Sequence, residues 1–174
     1  TAGEESMNIR AKKVLVIVDV QNDFIEGGSL AVDGGRDMSE RLVGWLVANN
    51  GQNDYDAIYT TQDWHKADDE NGGHIALPPA EPDYVDSWPI HCIARENGSD
   101  FAPALKAAIE SGDLEIDAHF YKGYGTPAYS GFEGFSQTGE TLALHLNRML
   151  NTNVVHVDVV GIATEHCVRA TSID

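Results

Sequence analysis

The chain has 174 residues, 42% of them hydrophobic, which suits one globular domain with a buried core. Against 11 Lys and Arg stand 28 Asp and Glu, a formal charge of −17. So acidic a surface repels phosphate backbones and anionic lipid, and no apolar run approaches the roughly 20 residues of a membrane span, which argues against nucleic-acid and membrane partners.

Thr1 to Ser6 is polar and precedes Met7, so residues 1–12 read as an N-terminal extension and 13–174 as the domain. Val14 to Val20 is a short β-branched apolar run, the pattern of a strand covered on both faces. Met38, Leu42, Leu46 and Val47 recur at helical spacing, and Ala57 to Thr61 is a second, weaker strand. Lys66 to Asn97 is loop-like, with prolines at 78, 79, 82 and 89, and a loop of that length is functional or disordered. Phe101 to Ile109 reads as a helix with a cap at Ser99. Ala118 to Tyr121 is a third strand, Leu142 to Leu150 a further helix and Val154 to Ile162 a strong fourth strand. Strands alternating with helices predict an α/β domain, doubly wound around a mainly parallel sheet.

In such sheets ligands bind at the carboxyl ends of the strands. The first strand ends in Asp19, the second runs into Asp63 and His65, the third ends at Lys122, and the fourth leads to Cys167 at a helix start. Cys167 is either a small buried hydrophobe or a nucleophile whose thiolate a helix N-terminus and a nearby cation would favour. Asp19 lies beside apolar residues, where an unpaired carboxylate is costly, and Lys122 is its natural partner. Either the two form a structural ion pair, or Asp19 exchanges protons with the thiol and a leaving amine. Asp63 and His65 share a face in an extended segment, and His74 and His91 follow in the long loop. Together they are a ligand set for Zn²⁺, Fe²⁺ or Mn²⁺, the alternative being surface histidines of a polar loop. Cys92, next to His91, reads as core rather than as a further ligand, the alternative its position offers, and His119, His145 and His156 read as structural. Phe24, Trp64, Trp88 and Tyr129 could wall a slot for a flat substrate, or simply anchor loops. Two cysteines are too few for a disulfide scaffold, and a reducing cytoplasm is the simpler compartment.

Several blocks resemble nicotinamidases, also called pyrazinamidases, within the isochorismatase-like cysteine hydrolases. They are Val18 to Phe24 with Gly27 to Leu30, Gln62 to His65, Ser87 to Cys92, Phe120 to Gly123, Ala128 to Gly134 and Val159 to Arg169. They stand in the family's order from Lys13 to Thr171. The resemblance implies a doubly wound α/β fold and Asp19, Lys122 and Cys167 as a catalytic triad. It implies Asp63, His65 and His91 as metal ligands, with His74 similar to a fourth ligand of some members. Phe24, Trp88, Tyr129 and Ile162 would surround the substrate ring, and the peptide N–H groups of Ala163 and Cys167 would form the oxyanion hole. Ile162-Ala163 matches the family's non-proline cis peptide. The implied activity converts nicotinamide to nicotinate and ammonia through a cysteine thioester, with pyrazinamide also accepted and a role in pyridine nucleotide salvage. Family members continue past Asp174, so the C-terminal part of the domain is expected to be missing. The partner is a small-molecule amide, and a homo-oligomer is compatible with the pattern. The rival readings are a hydrolase of another small amide or ureido compound, and a non-catalytic module binding a metal or small ligand. A complete Asp-Lys-Cys set argues against the module, and the absence of Gly-x-Gly-x-x-Gly after the first strand argues against a dinucleotide site.

Overall fold

The structure is a computed structural model describing residues 11–151 and 153–174. The N-terminal extension read from the sequence lies, up to residue 10, outside the described residues. Among the described residues four strands form one sheet: β1 (Ala11–Val18), β2 (Ala57–Asp63), β3 (Ala118–Lys122) and β4 (Val154–Gly161). Their order is β3-β2-β1-β4 and every pairing is parallel. The helices are α1 (Gly35–Val43, running on as a wider turn through Ala48), α2 (Pro103–Ser111), α3 (Leu142–Leu150) and α4 (Arg169–Ile173).

The inner strand β1 explains why the sheet is covered twice. From Val14 to Val18 every residue is buried. Alternate side chains of a strand point to opposite faces. Leu15 and Ile17 enter one core with Leu42 and Leu46 of the first helix and Leu105 of α2. Val14, Val16 and Val18 enter the other core with Phe120, with Leu142 and Leu146 of α3, and with Cys167. Burial at roughly 25 cal/mol per Å² on both faces is what makes an uninterrupted apolar run stable here.

Two expectations shift. The predicted cap at Ser99 is absent, because Phe101 and Ala102 are held extended beside the end of β1, with the Ala102 N–H donating to Val20 O at 2.9 Å. The helix therefore starts at Pro103, where a missing N–H costs nothing. Strand β1 also stops at Val18 rather than Val20, since Asp19 adopts φ +51.

The chain passes from β1 to β2 to β3 in one direction, and then returns to the other side of β1 for β4. The strand order therefore reverses between β1 and β4, and a crevice opens there at the carboxyl ends. Gly161, the last residue of β4, sits at this point with φ +142. A Cβ there would lie 1.9 Å from the Val18 carbonyl oxygen. Replacing Gly161 with Ala is expected to cost at least about 2 kcal/mol of stability by forcing β4 off β1. Urea unfolding of the two chains measures it, and an unchanged midpoint would refute the close approach.

Candidate active site

Asp19, just past β1, carries the first candidate side chain. Its left-handed conformation is uncommon for a non-glycine residue, and it turns the carboxylate into the crevice rather than along the strand. The side chain is fully buried. Its Oδ1 accepts a hydrogen bond from the Thr61 hydroxyl at 2.7 Å, and its Oδ2 lies 2.8 Å from Lys122 Nζ.

Lys122, at the end of β3, is buried too. Its ammonium makes ion pairs with both Asp19 and Asp63, and it stands 3.6 Å from Cys167 Sγ. The sequence reading paired it with Asp19 and missed Asp63. Burial disfavours the ammonium, but Asp19, Asp63 and Cys167 outweigh burial and push its pKa well above the ordinary lysine range. For Asp63 burial opposes ionisation, and Lys122 with His65 and His91 overcomes it, leaving the carboxylate well below its usual range. Asp19 goes the other way: its burial and the neighbouring Asp63 raise it despite Lys122.

Cys167 follows β4 in a wide turn, Thr164–Val168, that leads into α4. Ile162-Ala163 is cis, as the resemblance implied, and the Ala163 carbonyl accepts from the N–H groups of His166 and Val168. The acid oxygens of Asp19 and Asp63 and the thiol sulfur lie within 4.8 Å of one another. The expectation of a depressed thiol pKa is not met. Burial raises it well above the ordinary value, Lys122 works against this, and Asp19 and Asp63 reinforce it. One cation does not offset desolvation plus two carboxylates.

A second cluster shares Asp63. One ligand atom each from Asp63, His65, His74 and His91 falls within the same 4.8 Å, and all four residues are buried. His65 lies just past β2, and its Nδ1 is 2.8 Å from the Gly123 carbonyl. The His91 Nδ1 is 2.7 Å from the Pro89 carbonyl. A carbonyl only accepts, so both Nδ1 atoms carry a hydrogen, and it is Nε2 that each ring can offer as a lone pair to a cation. Those two Nε2 atoms face each other at 3.2 Å, and each lies 3.5 Å from an Asp63 oxygen. Two lone pairs and a carboxylate in contact repel unless a cation joins them. The two arms of the long loop pair through His74 and Trp88, which delivers His74 to the cluster. Burial and the neighbouring His65 lower the His74 pKa to about 4, so the ring is neutral at pH 7. Its buried Nδ1 has no hydrogen-bond partner among the described residues. The donor set and the orphaned nitrogen fit a divalent cation.

Each cluster reaches one cavity of about 200 Å³ through some of its members, while Asp19, Lys122 and His65 lie behind its wall. Asp63, His74, His91, Ala163 and Cys167 line it, together with the rings of Phe24, Trp88 and Tyr129. Trp88 Nε1 donates to the Tyr129 hydroxyl at 3.1 Å, tying two walls together. Trp64 is elsewhere, its ring tilted against Tyr121 with centroids 4.8 Å apart. Ile162 is buried in the core beside Leu15 and Ile17 and does not line the cavity. Leu30, Ala31, Val32 and His166 do line it and were not singled out from the sequence. His166 packs edge-on against Trp88 at 5.0 Å. Its adjacency to Cys167 was the one available signal. His119 and His145 are structural, bonded to Thr60 and Glu140, and Cys92 is core.

The fold and these motifs place the chain in a known family: it belongs to the isochorismatase family, whose domain model matches residues 13–174. It is 44% identical over 162 residues to the nicotinamidase/pyrazinamidase of Mycobacterium tuberculosis, covering 93% of this chain and 77% of that protein. A crystal structure of the yeast nicotinamidase bound to the inhibitor nicotinaldehyde superimposes with a TM-score of 0.70 at 25% identity, covering 92% of this chain and 80% of that one. The pyrazinamidase of Pyrococcus horikoshii in complex with zinc gives a TM-score of 0.64 at 26% identity, covering 94% and 77%.

The thiol's surroundings make a signed prediction. In metal-free protein, alkylation of Cys167 by a small neutral reagent should reach half its maximal rate above pH 9.0, the ordinary thiol value. Asp19→Asn removes a charge that opposes the thiolate and should move the profile to lower pH, whereas Lys122→Met should move it higher. Peptide mapping separates Cys167 from Cys92. A parent midpoint near pH 7 would overturn this account of the electrostatics.

Proposed function

We propose that this chain hydrolyses the carboxamide of nicotinamide, and of pyrazinamide, to the acid and ammonia through a thioester on Cys167. One observation carries the proposal: Cys167, which Lys122 and Asp19 back from behind, and Asp63, His74 and His91 of the ligand cluster open onto the same ring-walled cavity. A thiol and a carboxylate would serve acyl transfer anywhere, but beside a cation site and flat aromatic walls they select a planar heteroaromatic amide. The similarity to nicotinamidases supports the same substrate class.

Phe24, Trp88 and Tyr129 sandwich and orient the ring, so that its carboxamide carbon meets Cys167 Sγ. As the sulfur attacks, its proton passes to Asp19, whose raised pKa makes it a stronger base than an ordinary carboxylate. The developing oxyanion is received by the peptide N–H groups of Ala163 and Cys167, a contribution of about 3 kcal/mol for each donor in other hydrolases. Asp19 returns the proton to the departing nitrogen, the C–N bond breaks, and ammonia leaves a thioester. Asp19 then takes a proton from water as its oxygen attacks the thioester. Collapse releases the carboxylic acid, and the proton returns to the sulfur. Lys122 holds Asp19 in place and balances the charge that moves between carboxylate and thiolate. A divalent cation such as Zn²⁺, Fe²⁺ or Mn²⁺ held by Asp63, His65, His74 and His91 would supply a Lewis acid for a ring nitrogen.

Ammonia release from nicotinamide is the direct test. Cys167→Ala should lower it by at least about 10³-fold. Chelation should lower it at least about tenfold, with recovery on adding Zn²⁺, Fe²⁺ or Mn²⁺. A Cys167→Ala chain that works at the parent rate would remove the nucleophile from the scheme. Turnover of a ureido compound with none of nicotinamide would move the substrate to the rival class.

A further inference from the structure

The segment Gln21-Asn22-Asp23 takes no part in the proposed chemistry, yet it touches both halves of the ligand cluster. Pairing of β1 with β2 ends at Val18 and Thr61, because Asp19 turns the chain away. Asp63, two residues further along β2, has lost its backbone partner on that side. The Gln21 side chain replaces the strand. Its Oε1 accepts from the Asp63 N–H at 2.9 Å and its Nε2 donates to the Asp63 carbonyl at 2.9 Å. The same Nε2 lies 2.9 Å from the Ser99 carbonyl, which also accepts from Gln62 at 2.8 Å. Gln21 is fully buried, so every one of these bonds is protected from water.

Asp23 performs the equivalent task on the loop side. Its Oδ2 accepts from the Cys92 N–H at 2.7 Å and its Oδ1 from Ser29 N–H at 3.3 Å. Cys92 is the junction of two ligands: it follows His91 directly, and its carbonyl accepts from the His65 N–H at 2.9 Å. It adopts φ +47, a conformation that a firm backbone contact has to sustain. The approach is close enough that a Cβ on Gly98 would lie 2.1 Å from Asp23 Oδ2.

We propose that Gln21 and Asp23 are positioning residues that together fix the spacing between Asp63 and the His65/His91 pair, and so set the cluster's affinity for a divalent cation. One short segment grips the peptide of one ligand and the peptide beside another. Relative motion of β2 and the long loop is then restrained at the two ends of a three-residue span. The inference rests on the reading of the cluster as a cation site.

The test uses Co²⁺ as probe on the metal-free chain, reading its dissociation constant by competition with a chromogenic chelator and its ligand-field absorption. Gln21→Met keeps the length and removes the donor and the acceptor. Asp23→Ala removes both acceptors, and Asp23→Asn keeps one for Cys92. Gln21→Met and Asp23→Ala should each weaken Co²⁺ binding about 10- to 100-fold, the usual effect of removing a partner that orients a metal ligand, and should alter the spectrum. Asp23→Asn should recover most of the affinity lost in Asp23→Ala. Leu46→Ala, a cavity in the core under the first helix, should lower stability and leave the dissociation constant unchanged. A parent chain that binds no Co²⁺ would defeat the cation-site reading itself. A parent that binds, with Gln21→Met and Asp23→Ala binding equally well, would defeat the positioning role alone. Should Gln21→Met not fold, the comparison of Asp23→Ala with Asp23→Asn decides.

Discussion

A buried lysine shared between two carboxylates is the interaction on which this site depends. Lys122 is nearly inaccessible, as are Asp19 and Asp63. Ions taken out of water incur several kcal/mol each, and only close opposite charge with good hydrogen bonding restores it. A single pair would be neutral, but this lysine has two acid partners. Two acids and one ammonium sum to −1, and that excess lies beside three imidazoles. Truncating Lys122 would leave two buried carboxylates facing each other, so the lysine holds the two clusters at one separation. Asp63 belongs to both clusters, and any cation bound by the histidines competes with Lys122 for the same carboxylate.

Everything else in the fold serves to bring those strand ends together. Asp19 follows β1, Asp63 ends β2, Lys122 ends β3, and Cys167 lies six residues past the end of β4. In a parallel sheet all four ends are on one edge, so residues more than a hundred positions apart meet without any long-range device beyond the pairing itself. The reversal of strand order between β1 and β4 adds the crevice. Gly161 allows β4 to close on Val18 there, and the turn after it carries Ala163 and Cys167 to the cavity wall.

Much of this was legible before any coordinates. The β-branched run at Val14, read as a strand buried on both faces, is the inner strand β1, and the charged residues placed at strand ends do meet. What the sequence hid has identifiable causes. The second partner of Lys122 was invisible because spacing shows which strand end a side chain occupies, not which of two acids it reaches. Ser99 looked like a cap because Ser is a good one, but the following residues are held extended beside the end of β1. Leu30 and Val32 come from a turn without periodicity, and His166 is exposed, so neither pattern nor burial marked them. Gln21 was read as part of a motif and not as a structural group. A buried amide that substitutes for a strand is apparent only once Asp19 is seen to leave the ladder.

The raised thiol pKa is the largest departure from expectation, and it is compatible with a nucleophilic role. A low pKa would give more thiolate at rest, but thiolate nucleophilicity falls as the pKa falls. The opposite choice keeps a protonated thiol and a basic carboxylate within 4.8 Å, with an ammonium touching both. The pKa values of Asp19 and Cys167 are both raised by burial, so desolvation penalises the charge in either position. Transfer of one proton from sulfur to carboxylate moves a negative charge between two groups that Lys122 already contacts. The change in interaction with the lysine is therefore small, and in the proposed reaction the thiolate appears only as the electrophile arrives to consume it. A resting thiolate in the same pocket would face Asp19 and Asp63 with a single positive charge among three negatives. Keeping the proton on the sulfur until attack avoids that repulsion, and the two carboxylates can then remain where proton shuttling and cation binding require them.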